Sequence, residues 1–352
     1  IPAVQIVGTN GKGSIACLIH HGLMAAGLRS GMTTSPHLVS WCERIRVNDQ
    51  LITLKTLRST LERLQPVVEQ WRLTPFEQLI CSALVHFETQ QPDWLVLEAG
   101  LGGRLDATTA HGFRPLIAVA SVGMDHREHL GDSLDAIAAE KAAAISEGAH
   151  VISAAQEPEV AAVLEQRVND MNGTLQWVNA LDASWTLGLP GAWQKRNGAV
   201  AAAALQWMST RNHAITNQAI HEGFEDAFGD NGTCTNNIVA ANHNAYSYLT
   251  VAYGVEFVTV HGLDPEGTPS LDDIAEVVDR IEEDGITVLF VEEYTDRSAV
   301  DSLVEQTVTE DMPDGVMVLT LYTMEMAPMD TSDNYVSLMN KNLENLKTGL
   351  GC

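Results

Sequence analysis

Residues 8–14 read Gly-Thr-Asn-Gly-Lys-Gly-Ser. They follow an apolar run, Ala3–Val7, and their last three residues begin an apolar-periodic segment, Lys12–Ala26. A short apolar run bounded by glycine predicts a buried strand, and apolar residues every three to four positions predict a helix. Glycines between a strand and a helix let backbone N–H groups approach phosphate oxygens, and the helix N-terminus favours negative charge. The pattern predicts a phosphate loop; a glycine-rich turn with only a structural role is the alternative.

Two side chains of this loop have the chemistry that a nucleoside triphosphate needs. Lys12 is placed to reach the β- and γ-phosphates, and Ser14 can offer its hydroxyl to Mg²⁺. The spacing differs from GxxxxGK[ST], because Gly13 separates the lysine from the serine. The predicted nucleotide contacts are Gly8, Thr9, Asn10, Gly11, Lys12, Gly13 and Ser14.

Strands and helices are predicted to alternate after the loop, which favours a mostly parallel sheet covered on both faces. Ligands of such sheets bind beyond the carboxyl ends of the strands, and Glu98 ends one of them. The predicted helices are 53–70, 75–90, Ser133–Ser146 and a last helical segment, Ile215–Ala227. The predicted strands are Trp94–Glu98, Leu116–Ala120 and His150–Ser153.

A change in composition divides the chain. Residues 231–352 hold 22 of the 46 acidic residues but only 4 of the 20 basic ones, and residues 229–237 are rich in turn formers. We therefore predict an ATP-binding domain at 1–228, a junction at 229–238 and a second α/β unit at 239–352. The second unit is predicted to contain a helix from about Ala241, strand Glu256–Val260, helix Leu271–Glu283, strand Thr287–Val291, helix Ser298–Val308, strand Val316–Thr320 and helix Asn334–Leu346.

The formal net charge of −26 argues against nucleic-acid binding, which requires clustered cations. The acidity also suits a merely solvated surface. The sequence contains no run of 18 or more apolar residues, so no membrane span is predicted. The five cysteines form no CxxC pair, and Ile1 leads directly into a strand without a signal-peptide pattern. Free thiols suit a reducing compartment, so we expect a cytoplasmic protein, and we expect it to be a monomer.

Further motifs follow the phosphate loop in order. They are Thr34–Leu38, Glu43–Asn48, Thr74–Glu77, Glu98–Thr109, Ser121–His126, Glu140–Lys141 and Leu189–Asn197. With Gly8–Ser14, they resemble the Mur ligase family, and within it the folylpolyglutamate and dihydrofolate synthases. The resemblance implies an α/β fold in which a Mur-ligase-type P-loop domain precedes a smaller α/β lobe. It also implies an ATP-dependent ligase that converts a folate or pteroate carboxylate to an acyl phosphate for attack by L-glutamate.

The resemblance also implies roles for metal-binding side chains. Ser14 and Glu98 would hold one Mg²⁺, and Glu98 and His126 would help to hold a second. Lys141 would be carbamylated, which turns a cation into a carboxylate-like ligand. Lys12, Lys141 and His126 are thus the expected catalytic residues. Taken alone, Glu98 also suits a solvated strand end, Lys141 a surface lysine, and His126 or His129 a hydrogen-bonded loop histidine.

Two other motifs match substrate-binding segments of that family. Thr34–Leu38 resembles the loop that covers the pterin, with Ser35, Pro36 and His37 as the expected substrate contacts. Gln194 and Asn197 match positions that touch the nucleotide. Trp193 departs from the usual histidine, which puts that contact in doubt.

Beyond the junction, the chain resembles the C-terminal lobe of zinc/manganese substrate-binding proteins of ABC transporters. The matching segments are Ala241–Leu249, Ala252–Val255, Val288–Glu293, Leu319–Thr323 and a last helix with Tyr335, Met339 and Asn342. His243 matches the metal-binding histidine, whereas Met324, followed by Glu325, replaces the usual aspartate. Because a zinc site takes three or four protein ligands, His243 either keeps a Zn²⁺ or Mn²⁺ role or is a helix-start histidine without one.

Three functions remain open at this point. The first is the ligase, the second is a zinc/manganese carrier that uses the second unit, and the third is a chimera with an inactive ligase core. The third arises because both the segment that precedes the phosphate loop and the C-terminal domain of the ligase family are expected to be absent. Loss of a domain that orients the nucleophile costs many orders of magnitude in rate.

Overall fold

The computed structural model describes residues 1–37, 40–125, 130–189, 193–228, 238–241, 256–259, 275, 278, 279, 281, 283, 285–292, 295, 297–309, 312–322 and 335–350. The chain forms two compact units, Ile1–Gly229 and Asp230–Cys352. Nearly all of the predicted junction lies outside the described residues, so its limits stay a prediction.

An eight-stranded sheet forms the centre of the first unit. Its strands are β1 (Ala3–Val7), β2 (Ser30–Thr33), β3 (Ile45–Val47), β4 (Gln50–Leu51), β5 (Trp94–Glu98), β6 (Leu116–Val119), β7 (His150–Ala154) and β8 (Thr174–Val178). Their order is β4-β3-β2-β5-β1-β6-β7-β8. All neighbours are parallel except β2–β3 and β3–β4. The carboxyl ends of β1, β2, β5, β6, β7 and β8 therefore meet at one edge.

Helices cover both faces of this sheet. They are α1 (Lys12–Ala25), α2 (Leu54–Trp71), α3 (Pro75–Gln90), α4 (Leu134–Ala142), α5 (Pro158–Asp170), α6 (Gln194–Ser209) and α7 (Asn217–Glu225). Because side chains alternate along a strand, Ala118 packs with α1 and α6, whereas its neighbours Ile117 and Val119 pack with α4 and α5. The mostly parallel, two-faced α/β sheet that the sequence predicts is thus confirmed.

The predicted strands at β1, β5, β6 and β7 are confirmed to within one residue, as are the helices α2 and α3. Thr74 and Glu77 cap α3 with reciprocal side-chain hydrogen bonds, which explains its sharp start. The prediction missed β2, β3, β4, β8, α5 and α6. In β2, the sequence Ser-Gly-Met-Thr lacks an apolar pattern, but all four residues are buried between β5 and β3.

The second unit contains a four-stranded parallel sheet. Its described elements are β9 (Ile238–Ala241), β10 (Glu256–Thr259), β11 (Val288–Glu292), β12 (Met317–Leu321), α8 (Arg297–Gln306) and α9 (Tyr335–Leu350), with strand order β10-β9-β11-β12. The helix predicted from about Ala241 is wrong at its start. Ala241 ends a strand, because the apolar run that contains it pairs with β10 and β11. The predicted strands at β10, β11 and β12 are confirmed to within one residue.

Among the residues that the structure describes, no helix has both the length and the apolar character needed to cross a bilayer.

Candidate functional site

Two glycines of the phosphate loop are required by the backbone and its neighbours. Gly8 and Gly11 have φ angles of 144° and 90°. A Cβ on Gly8 would lie 2.7 Å from Cβ of Ala120, and one on Gly11 would lie 2.5 Å from Oδ1 of Asn197. Since any side chain would meet packed atoms, the loop keeps its amides at the start of α1 only with glycine at these positions.

The phosphate loop is fastened to the segment that follows β6. The amides of Thr9 and Asn10 donate to the carbonyl of Ser121 at 2.7 and 3.3 Å, and the Ser121 hydroxyl donates to the carbonyl of Asn10 at 3.1 Å. The Thr9 hydroxyl donates to the Gly123 carbonyl at 3.2 Å and accepts from its amide at 3.1 Å. These bonds fix the loop on its sheet side.

Lys12 is the first residue of α1, and its Nζ donates to the carbonyl of Thr9 at 2.9 Å. The ammonium group therefore folds back over the loop whose amides are expected to bind phosphate. Ser14 is buried in the first turn of the same helix.

Glu98 lies at the carboxyl end of β5, next to β1 in the sheet, and is only 5% exposed. The amide of Ser35 donates to its Oε2 at 3.0 Å. Burial raises the pKa of Glu98 to about 7, although the Lys12 ammonium, the Ser35 amide and the Arg44 guanidinium lower it. A buried carboxylate with such a pKa is stabilised when a cation binds to it.

Lys141, in the last turn of α4, is 3% exposed, and its Nζ donates to the carbonyl of Gly8 at 3.0 Å. Burial lowers the pKa of Lys141 to about 8, and the charge of Lys12 lowers it further, whereas Asp125 raises it. Lys141 is therefore buried beside the predicted phosphate loop and is not a surface lysine.

The loop after Glu98 packs against the helix that carries Lys141. A Cβ on Gly103 would lie 2.6 Å from the carbonyl oxygen of Lys141, so only glycine allows this approach. Arg104 and Glu140 form a salt bridge at 2.9 Å. Asp106 Oδ2 accepts from the amides of Gly100 and Leu101 at 2.8 and 3.0 Å. The sequence prediction gave Asp106 no role; the Asp-Ala-Thr order, typical of an Asx turn, was the available signal.

The expected substrate loop lies beside Glu98. Its Ser35–Pro36 peptide bond is cis. His37 Nδ1 accepts from Arg44 Nε at 2.8 Å, and its ring lies 4.4 Å from the half-exposed ring of Trp41, centroid to centroid. Burial lowers the pKa of His37 to about 4, and Arg44 acts in the same direction. At neutral pH this imidazole is uncharged.

The first turn of α6 reaches the phosphate loop. Asn197 Nδ2 donates to Gln194 Oε1 at 3.1 Å, and both side chains are buried. Because Asn197 lies against Gly11, the two predicted nucleotide contacts on α6 belong to the same site as the loop. Trp193, in contrast, is 72% exposed.

Two predicted site residues, His126 and His243, fall outside the described residues, as do His129, Met324 and Glu325. Their roles stay predictions. Among the described residues, no three His, Cys, Asp or Glu side chains gather as a metal cage. Mg²⁺ needs no such cage, because it is commonly held by one or two carboxylates, water and substrate phosphates. The buried carboxylate of Glu98 fits this donor set.

Comparison with known proteins gives relatives among the folylpolyglutamate and dihydrofolate synthases. The chain is 30% identical over 259 residues to the dihydrofolate synthase/folylpolyglutamate synthase of Bacillus subtilis, which covers 64% of this chain and 60% of that protein. It is 35% identical over 173 residues to the folylpolyglutamate synthase of Lacticaseibacillus casei, which covers 47% of this chain and 40% of that protein. The chain thus spans less than two thirds of these relatives.

Solved structures are similar over a longer stretch. The apo form of L. casei FPGS superposes with a TM-score of 0.69 at 22% identity, covering 99% of this chain and 85% of that chain. An FPGS-AMPPCP-folate complex gives a TM-score of 0.67 at 22% identity, covering 99% and 85%. The likeness in fold therefore extends through the second unit, where the sequence resemblance to ligases was expected to stop.

Residues 212–349 match the family described as "Zinc-uptake complex component A periplasmic". The chain is thus similar in sequence to folate-type ligases and, over residues 212–349, to zinc-uptake proteins, and both predicted resemblances are confirmed.

Proposed function

We propose that the first unit is the catalytic core of an ATP-dependent ligase that joins L-glutamate to a folate or dihydropteroate carboxylate. The observation that carries the proposal is the convergence of three groups on the phosphate loop. Lys12 folds over the loop, Lys141 donates to the carbonyl of Gly8, and the charges of Lys12 and Glu98 act on each other. The relatives of the chain include folate-type ligases, which supports the same reaction class.

The chemistry requires cations around phosphate. A carboxylate is a poor electrophile, so it first accepts the γ-phosphoryl group of ATP, and the amine then displaces phosphate from the acyl phosphate. Lys12 would leave the Thr9 carbonyl and bind the β- and γ-phosphates, while the amides of residues 8–14 bind the remaining oxygens. Preorganised positive charge of this kind stabilises the phosphoryl-transfer transition state.

Ser14, Glu98 and His126 are the side chains that would hold Mg²⁺. The bound ion would neutralise phosphate charge and orient the γ-phosphoryl group. Lys141 would join them as a carbamate: its neutral amine attacks carbon dioxide, an N–C bond forms, and the proton leaves to solvent. With a pKa near 8, roughly a tenth of Lys141 is neutral at pH 7, far more than for an ordinary lysine.

Two further segments would bind the organic parts of the substrates. Ser35, Pro36 and His37 would contact the pterin, since their loop touches Glu98 through the Ser35 amide. Gln194 and Asn197 would contact the nucleotide beside Gly11.

The test is a glutamate-ligation assay with ATP and dihydropteroate or folate, together with calorimetry of ADP binding. The Lys12→Ala variant should lose at least ~100-fold in turnover, because a preorganised charge on the transferring phosphate is removed. Lys55→Ala is the matched control, since Lys55 is an exposed lysine at the start of α2. Failure of the unmodified chain to bind nucleotide would refute the proposal.

The zinc-uptake match favours a second candidate function, the binding of Zn²⁺ or Mn²⁺ by the second unit through His243. Measurement of metal content in the chain and in a His243→Ala variant tests it. Equal stoichiometry in the two proteins would exclude a role for His243.

We also infer that the chain is a cytoplasmic monomer. The thiols of Cys17, Cys42 and Cys81 are free, as expected in a reducing compartment. Sedimentation and cell fractionation test the two parts of this inference.

A further inference from the structure

We infer that Gln156, which no motif includes, is a positioning residue for the phosphate loop and for the segment that leads to His126. Gln156 lies between β7 and α5, and its side-chain amide makes three hydrogen bonds. Nε2 donates to the carbonyl of Ala120 at 2.9 Å and to the hydroxyl of Ser153 at 3.0 Å, and Oε1 accepts from the amide of Val122 at 3.1 Å. This inference rests on the proposed ligase function.

The two backbone bonds hold the chain on either side of Ser121. Strands β6 and β7 pair up to Val119 and Ser153, and beyond these residues the two strands no longer pair with each other. The side-chain amide of Gln156 bonds to the backbone after β6 as the next peptide group of β7 would do in a continued ladder. Because backbone carbonyls only accept and amides only donate, the two partners fix which way this amide points.

Ser121 in turn carries the phosphate loop. Its carbonyl accepts from the amides of Thr9 and Asn10, and its hydroxyl donates to the Asn10 carbonyl. On the next residue but one, Gly123 exchanges two hydrogen bonds with the Thr9 hydroxyl. Gln156 therefore fixes the segment against which residues 8–10 are held, although none of these five hydrogen bonds involves Gln156 itself.

The same segment continues to the expected metal ligand. Asp125 acts on the pKa of Lys141, and His126 follows directly in the chain. Residues 120–123 thus connect the phosphate loop to Asp125, and Gln156 holds the start of this segment.

Two variants test this role in the full chain, with ADP and Mg²⁺ as the probe and calorimetry as the readout. Gln156→Leu removes all three bonds and should weaken ADP binding by about tenfold, which corresponds to the loss of about one net hydrogen bond's free energy. Gln166→Leu is the matched control, because Gln166 is an exposed glutamine on α5 whose side chain donates to Asp170, on the same helix.

Gln156→Glu separates positioning from general stability. As a carboxylate at pH 8 it cannot donate to the Ala120 carbonyl, but as a protonated acid it reproduces both bonds. The facing Ala120 carbonyl disfavours the carboxylate and raises the pKa of this glutamate above its ordinary value of about 4.3. The ratio of its ADP affinity to that of the unmodified chain should therefore rise toward one between pH 8 and pH 5. The same ratio for Gln156→Leu should stay constant.

The outcomes distinguish this inference from the proposed function. If the unmodified chain does not bind ADP, the proposed function is wrong. If it binds ADP and Gln156→Leu binds within twofold of it, Gln156 does not position the loop. If Gln156→Leu fails to fold, the test uses Gln156→Glu alone. The inference is then wrong if the ADP affinity of Gln156→Glu, relative to that of the unmodified chain, does not change with pH.

Discussion

The ammonium group of Lys141 donates to the backbone carbonyl of Gly8 at 3.0 Å, and so joins the last turn of α4 to the first residue of the phosphate loop. Both residues pack closely against segments distant in the sequence: Gly103 lies against the carbonyl of Lys141, and Ala120 lies against Gly8. A modified Lys141 would therefore stand next to bound phosphate without any large movement of the backbone.

The first prediction concerns this lysine. Because burial lowers its pKa to about 8, its neutral fraction increases from pH 6 to pH 8, and carbamate formation should increase with it. Carbon-13 NMR with labelled bicarbonate should detect one carbamate that is absent in Lys141→Gln. That variant should lose about 10- to 100-fold in ligase activity, the usual effect of altering groups that support a metal site. A protein that shows no carbamate signal and yet has full ligase activity would contradict the prediction.

The second prediction concerns Glu98. Its pKa is raised from 4.5 to about 7, so the folded protein keeps a proton that the unfolded chain has lost between these values. Stability therefore falls as the pH rises through this window, and the penalty is complete above pH 7. Each unit of pKa shift corresponds to ~1.4 kcal/mol of free energy. Glu98→Gln removes this penalty and should therefore stabilise the ligand-free protein by up to about 3 kcal/mol at pH 8.

The stabilisation by Glu98→Gln should disappear below about pH 4, where the carboxyl group is protonated in the folded protein and mostly protonated in the unfolded chain. Thermal unfolding of the variant and the unmodified chain at the two pH values gives this difference. Equal Tm differences at both values would show that burial does not set the pKa of Glu98.

The third prediction uses two glycines with left-handed backbones. Gly11 and Gly27 have φ angles of 90° and 74°, but a Cβ meets Asn197 at Gly11 and meets nothing within 4 Å at Gly27. Both alanine variants should lose about 1 kcal/mol or more of stability from the strained backbone. Only Gly11→Ala should lose ADP affinity, measured by calorimetry. A matching loss in Gly27→Ala would attribute the effect to general destabilisation.

The fourth prediction concerns the second unit. The buried side chain of Asn342, on α9, accepts from the amide of Tyr322 at 2.7 Å and donates to its carbonyl at 2.9 Å. Asn342→Ala leaves both backbone groups without these bonds and should destabilise the unit by about 1–3 kcal/mol. Exposed Asn340, two positions earlier, is the control, and Asn340→Ala should change stability by less than about 0.5 kcal/mol. Hydrogen exchange of β12 measures both effects.

Local patterns explain why much of the fold was predictable. The apolar runs at β1, β5, β6 and β7 and the capped start of α3 are encoded within a few residues, and the structure has them where the sequence predicts. Strand β2 was missed because its burial comes from neighbouring strands and not from its own side chains. Ala241 was misplaced in a helix for a similar reason, since pairing with β10 and β11 decides that it belongs to a strand.

The sequence by itself predicted the phosphate loop with Lys12, the alternation of strands and helices, and Glu98 at a strand end, because glycine spacing and apolar periodicity are local properties. Lys141 became a candidate only through the resemblance to the ligase family. The tertiary structure decided which of these groups meet. It places Asn197 against Gly11, shifts the pKa values of Glu98 and Lys141 by burial, and brings the side chain of Gln156 to the backbone segment that holds the loop. Those properties depend on desolvation and on contacts between distant segments, which no local pattern contains.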